Sequence, residues 1–213
     1  MTTQVKICGL RTEPALEAAL AGGADYVGLV FFAPSPRNVT LATAEALAGN
    51  ARGRARIVAL MVDPDDTLID AVVASVAPDL LQLHGEETPG RVAAIRRRWG
   101  RPVMKAIKVE TAEDARAASG YRQAADLILF DARAPADSTR PGGNGAPFDW
   151  RTLLGVKDDM PFMLSGGLTP DNVAEAIRLT GAAIVDVSSG VESSPGEKDP
   201  ELIRSFLRAA KGV

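Results

Sequence analysis

The stretch Gln4-Val5-Lys6-Ile7-Cys8-Gly9-Leu10 is followed by Thr12-Glu13-Pro14, an alanine-rich run, and then Asp25-Tyr26-Val27-Gly28-Leu29-Val30-Phe31. It reads as strand, helix, strand. Val5 and Ile7 alternate and mark a short first strand over residues 4–7, and Cys8-Gly9 falls where the chain turns. Thr12 before Glu13-Pro14 is a helix-start signal, because a hydroxyl can cap the first turn and proline suits its first position. A helical crossover of this length returns the second strand parallel to the first.

The same unit recurs to the end of the chain. Runs rich in Val, Ile, Leu and Phe predict strands over 4–7, 25–31, 57–62, 80–83, 103–107, 127–130, 162–164 and 183–187. Alanine- and charge-rich segments between them predict helices over 13–21, 41–48, 66–75, 89–99, 112–119, 150–155, 171–179 and 200–210. Thr88 before Pro89 and Thr169 before Pro170-Asp171 repeat the capping signal. The strands read as continuous apolar runs, as strands covered on both faces do. Eight strand-then-helix units close naturally into a single-domain (β/α)8 barrel spanning residues 1–213, with an open doubly wound sheet as the alternative.

Bulk properties agree with one globular domain. The chain has 213 residues, 46% hydrophobic and 24% charged, with 24 Lys+Arg against 27 Asp+Glu. That balance lacks the basic footprint of a nucleic-acid binder. One cysteine excludes an internal disulfide and suits a reducing compartment. The first residues lack the pattern of a signal peptide, and no apolar stretch approaches membrane-spanning length. The expectation is a cytoplasmic protein with no nucleic-acid, membrane or obligate protein partner.

Barrels of this kind gather their chemistry at the C-terminal ends of the strands. Cys8 at the first strand's end is either inert packing or a base or nucleophile working as thiolate. Asp131, directly after Ile128-Leu129-Phe130, is either a loop-capping residue or a desolvated carboxylic acid. Together the two form a possible proton-transfer pair. Arg37 follows Pro34-Ser35-Pro36, a stiff loop that would aim a guanidinium at a carboxylate, although a solvated arginine also fits. His84, the only histidine, is as compatible with a structural as with a catalytic role. No second His or Cys stands nearby at ligand spacing, so no metal site is expected.

Two glycine clusters come late: Ser165-Gly166-Gly167 after the seventh strand and Ser188-Ser189-Gly190 after the eighth. Bare backbone lets amides approach an anion, and serines add donors, so Gly166, Gly167, Ser188, Ser189 and Gly190 read as a phosphate seat. The irregular stretch 132–149, with Pro141-Gly142-Gly143-Asn144-Gly145, follows the sixth strand and reads as a mobile lid.

These ends resemble, in order and over the whole chain, the phosphoribosylanthranilate isomerase family of tryptophan biosynthesis. The residues that carry the resemblance are Lys6-Ile7-Cys8-Gly9, Phe32 to Arg37, Gln82-Leu83-His84-Gly85, Phe130-Asp131, Gly142 to Gly145 with Phe148-Asp149-Trp150, Leu164 to Leu168, and Asp186 to Glu192. The resemblance implies a cofactor-free barrel enzyme that rearranges an N-phosphoribosyl anthranilate from aldosylamine to ketose. It implies Asp131 as general acid and Cys8 as general base. Arg37 would hold the anthranilate carboxylate, the glycine–serine loops the phosphate, and Gln82, His84 and Asp186 would line the mouth. Asn144 stands where the family commonly has threonine, which implies altered lid dynamics. The resemblance further implies a bell-shaped pH dependence of kcat/KM, from an ionised Cys8 and a protonated Asp131.

Other phosphate-binding barrels fit less well. A ribulose-phosphate epimerase needs several metal-ligating residues, and one histidine does not supply them. A ribotide isomerase is a two-aspartate barrel with half-repeats, and here the first strand ends in cysteine. A non-catalytic binding barrel would not need both Cys8 and Asp131.

Overall fold

A computed structural model describes residues 2–133, 148–155 and 161–213. Eight strands, β1 (Gln4–Cys8), β2 (Tyr26–Phe31), β3 (Arg56–Met61), β4 (Leu80–Leu83), β5 (Val103–Val109), β6 (Leu127–Ala132), β7 (Phe162–Leu164) and β8 (Ile184–Val187), follow one another in chain order around a closed barrel. All pairs are parallel, and β8 closes on β1 with Asp186 opposite Lys6. With both edges of β1 paired, the open-sheet alternative falls away.

Outside the barrel lie α1 (Glu13–Ala21), α2 (Leu41–Ala51), α3 (Asp66–Val76), α4 (Pro89–Trp99), α5 (Ala112–Arg116), α6 (Val173–Thr180) and α7 (Pro200–Lys211). Strand residues that face outward, among them Val5, Ile7, Ile57, Leu81, Leu83 and Val185, pack on Leu16, Val72, Ile95 and Phe206 of the helices. Each such buried side chain contributes roughly 1.5–3 kcal/mol relative to exposure. A second apolar cluster fills the barrel floor with Tyr26, Val58, Leu80, Met104, Leu127, Leu129 and Met163.

The period-2 pleat then decides where the chemistry goes. Moving up each strand in steps of two from that floor leads to Gln82 and His84 above Leu80, and to Asp131 above Leu129. Likewise Ser165 stands above Met163, and Asp186 above Ile184. Lys6 and Cys8 occupy the same face of β1. All seven polar or thiol side chains are buried or nearly so. The strands are therefore apolar outward, while their inward rows turn polar toward the C-terminal ends.

Three local expectations need correction. Residues 150–155 do not form an α-helix; Trp150–Leu153 is a single 3-10 turn, with the Asp149 carboxylate accepting from the Arg151 amide. Helix α6 starts at Val173 rather than 171, because Asn172 Oδ1 accepts from the Thr169 amide at 2.8 Å and closes a turn there. Thr169 is consequently not its cap. Thr88 does cap α4 through the Arg91 amide, whereas Thr12 precedes α1 without a side-chain bond. A short hairpin of β9 (Glu192–Ser194) and β10 (Glu197–Lys198), not read from the sequence, follows β8. Residues 134–147, including Asn144 of the expected lid, lie outside the described residues.

Candidate active site

On β1 the pleat puts Lys6 two residues below Cys8 on the inward face. Lys6 is fully buried, and its Nζ donates to Asp186 Oδ1 at 2.8 Å. Asp186 Oδ2 accepts from the Ser165 hydroxyl at 3.3 Å, so both carboxylate oxygens have donors. Burial works against the Lys6 charge, yet the Asp186 carboxylate and the Cys8 sulfur outweigh it and hold the ammonium above its ordinary pKa. Cys8 is 3% exposed. Burial pushes its thiol up, Lys6 and Lys198 pull it down, and Asp186 pushes with burial; the net shift is upward.

Neighbouring β2 makes room for this pair. Gly28 sits beside Cys8 in register, and a Cβ built there would stand 3.0 Å from Cys8 Sγ and 3.3 Å from Lys6 Cε. The missing side chain is the space the thiol and the lysine stem occupy. Val30 and Leu60 wall the sulfur on its apolar side.

Across the barrel, Gln82 Nε2 lies 3.0 Å from His84 Nδ1, and His84 Nε2 lies 3.2 Å from Asp131 Oδ2. With the amide nitrogen donating, His84 carries its proton on Nε2 and donates to an ionised Asp131. In that orientation Gln82 Oε1 is buried with no hydrogen-bond partner among the described residues. Turning the amide over lets Nδ1–H donate to Oε1, and Nε2 then accepts a proton bound to Asp131. The chain of three thus matches either protonation state of the carboxyl.

The loop carrying His84 is anchored from outside the barrel. Lys105 Nζ donates to Gly85 O at 2.6 Å and to Glu87 Oε2 at 2.8 Å, with both side chains 2% exposed. Glu87 accepts in turn from the amides of Gly85 and Asp63.

Arg37 is buried, not solvated, and a carboxylate does meet it bidentately. That carboxylate is Glu192 of the hairpin, which accepts from Nε at 2.7 Å and Nη2 at 2.8 Å. Lys198 joins Glu192, and its Nζ also donates to Ser188 O at 3.0 Å and Ser188 Oγ at 3.2 Å. Burial alone would raise the Glu192 carboxyl, but Arg37 and Lys198 lower it to about 2. Burial in turn lowers Lys198 against the pull of Glu192. The aliphatic stem of Arg37 lies against Gly9, so this network packs on the turn after Cys8.

The two glycine-bearing loops touch through bare backbone. A Cβ on Gly190 would stand 1.9 Å from Leu168 O. Gly166 adopts φ +86°, and a Cβ there would meet Ala132 N at 2.5 Å. Gly167 follows at φ +67°. Ser189–Val191 is a single 3-10 turn. The Ser188 hydroxyl points instead to Cys8 O, 3.2 Å away. Among the described residues no group of three His, Cys, Asp or Glu side chains is arranged to hold a metal ion, and no helix is long and apolar enough to cross a membrane.

Every candidate residue read from the sequence therefore lies at the C-terminal end of the barrel or in the loops that continue it. Sequence reasoning missed Lys198, the part Glu192 plays, and Gly28. A lone glycine inside an apolar strand was the available signal for Gly28.

A family model described as N-(5'phosphoribosyl)anthranilate (PRA) isomerase matches residues 5–209. The chain belongs to that family. A protein of Rhodopseudomonas palustris (strain BisA53) named N-(5'-phosphoribosyl)anthranilate isomerase is 60% identical over 213 residues, covering 100% of this chain and 98% of that protein. One of the same name from Paramagnetospirillum magneticum is 56% identical over 212 residues, or 100% and 99% of the two. The crystal structure of phosphoribosyl anthranilate isomerase from Thermotoga maritima superposes with a TM-score of 0.89 at 34% identity, over 99% of this chain and 100% of that one. A phosphoribosyl anthranilate isomerase in complex with reduced 1-(o-carboxyphenylamino)-1-deoxyribulose 5-phosphate gives 0.86 at 33%, over 99% and 100%. Family and fold thus agree with the phosphoribosylanthranilate isomerase resemblance of the strand ends.

Proposed function

We propose that the chain isomerises N-(5'-phosphoribosyl)anthranilate to 1-(2-carboxyphenylamino)-1-deoxyribulose 5-phosphate, with Asp131 as acid and Cys8 as base. The observation that carries this reading is the placement of a carboxyl and a thiol on inward positions at the ends of β6 and β1 of one barrel.

Asp131 gives its proton to the furanose ring oxygen while the bond from that oxygen to C1' breaks. The anthranilate nitrogen lone pair forms the C1'=N double bond, and the open chain is a Schiff base. The Cys8 thiolate then takes the C2' proton. The released electron pair makes C1'=C2' and returns the C=N pair to nitrogen, giving an enolamine. Tautomerisation, with loss of the C2' hydroxyl proton and gain of a proton at C1', yields the ketose.

The remaining residues bind and orient. Arg37, braced on one edge by Glu192, holds the anthranilate carboxylate, for which a planar guanidinium is well shaped. The backbone around Gly166, Gly167, Ser189 and Gly190 seats the phosphate, with Ser188 fastening that loop to the Cys8 turn. Asp186, Gln82 and His84 line the mouth. Oriented amides and Arg37 supply the local positive potential that a net-acidic protein needs for a substrate anionic at both ends.

The test is to add the protein to the substrate and follow its anthranilate fluorescence. Loss of signal with formation of the ketose supports the activity. No change at micromolar protein, with the ligand bound, would turn the chain into a binding barrel.

A further inference from the structure

Cys8 has a difficulty that the acid–base reading leaves open. A base must lose its proton, and a sulfur 3% exposed, walled by Val30 and Leu60, sits where the charged form is disfavoured. The charged groups facing it come from three elements. β1 contributes Lys6, β8 contributes Asp186, and the hairpin contributes Lys198, itself tied to Glu192 and through it to Arg37. The other packed strands, β2 and β3, face the sulfur with Gly28, Val30 and Leu60 and bring no charge.

Of the two cations, Lys198 is the more committed. Glu192, Ser188 O and Ser188 Oγ take its three N–H donors. Among the described residues Lys6 Nζ donates to Asp186 alone, and its stem converges with the Cys8 sulfur over Gly28.

We propose that Lys6 is a positioning residue for the base, its ammonium shared between the Asp186 carboxylate and the Cys8 sulfur, so that Lys6 favours the thiolate and Asp186 restrains it. This rests on Cys8 being the base, and it deepens that assignment. When the thiol ionises, the ammonium gains a second anion within one buried cluster. Asp186 meanwhile keeps the lysine charged and in place while Cys8 is still protonated. The two residues therefore act on Cys8 with opposite sign, although breaking their ion pair would disturb the fold in the same direction from either side.

The test reads the sulfur without substrate. Because Cys8 is the only cysteine, the ultraviolet absorbance of the thiolate, taken as a difference against Cys8→Ala, reports one group and cancels the tyrosines. Asp186→Asn should lower the titration midpoint by about one unit, Lys6→Gln should raise it by about one unit, and Lys6→Arg should leave it near the parent value. Where Lys6→Gln does not fold, Asp186→Asn and Lys6→Arg decide the matter. An unmoved midpoint in folded Asp186→Asn, or a rise there, overturns the proposal. A midpoint that shifts as expected in a protein that does not turn over substrate would show the opposed action of Lys6 and Asp186 on the sulfur, yet overturn the isomerase reading and with it the base that Lys6 is proposed to position.

Discussion

His84 Nε2 stands 3.2 Å from Asp131 Oδ2 although His84 follows β4 and Asp131 lies in β6, two strands separated by β5. Both side chains point inward from strands flanking β5, whose Ala106 is small enough to leave room between them. The same contact ties the only histidine to the carboxyl proposed as the acid. On that proposal His84 acts through Asp131 by holding it in one orientation, with Gln82 on the far side of the ring.

Replacing His84 with Ala should lower kcat by about tenfold to a hundredfold with little change in KM, a part of the roughly 10²–10⁴ that general acid catalysis contributes, because the carboxyl stays but loses its orienting partner. Steady-state kinetics on the two parameters check it. A rise in KM alone would make His84 a binding residue.

The upward shift of the Cys8 thiol has a sign that can be read in activity. The base works when deprotonated, and burial holds it protonated to higher pH than an ordinary thiol. The rising limb of kcat/KM should therefore continue past the ordinary thiol midpoint of about 8.5. Asp186→Asn, which removes a restraining charge, should bring that limb down. A pH–rate profile of both proteins checks it.

Glu192 has a depressed carboxyl, about 2 in the folded protein. Its stabilising effect is thus present above the unfolded carboxylate range and lost as pH falls toward 2. Denaturation of parent and Glu192→Gln should differ by about 2 kcal/mol near neutrality, part of the full shift being screened by solvent at the rim. The gap should close between roughly pH 4.5 and 2. The variant also unbraces Arg37, so its KM should rise more than its kcat falls.

Lys105 and Glu87 form a buried pair whose remaining donors and acceptors are met by backbone. Lys105→Met strands the Glu87 carboxylate and should cost about 3–5 kcal/mol, whereas the double variant with Glu87→Leu should recover much of that loss. Urea denaturation of the three proteins measures it.

Gly190→Ala should cost about 1–3 kcal/mol and weaken phosphate binding, because a methyl group cannot coexist with Leu168 O unless the two phosphate loops separate. Melting temperature with and without inorganic phosphate checks both effects.

Much of this was legible in the chain. Eight apolar runs and the alanine- and charge-rich segments between them located every barrel strand, since both signals are local. The strand ends named Cys8, Asp131, Arg37 and His84 for the same reason. What stayed hidden depends on closure. The pleat puts Lys6 on the same face as Cys8, but that it meets a carboxylate 180 positions away is decided only when β8 pairs with β1. Likewise the Arg37 loop read as aimed at a carboxylate, but nothing local said that Glu192, 155 positions on, already holds one edge of the guanidinium. The 3-10 turn at Trp150 escaped because its residues carry helical propensity and too little length to express it.

The central claim is that one thiol and one carboxyl carry the two proton transfers. Its most direct test is kcat for Cys8→Ala and for Asp131→Asn, each shown to be folded by near-ultraviolet circular dichroism. Both should lose at least about a hundredfold in kcat, as expected when a general acid or base is removed. Folded Cys8→Ala or Asp131→Asn turning over substrate at the parent rate would contradict the account.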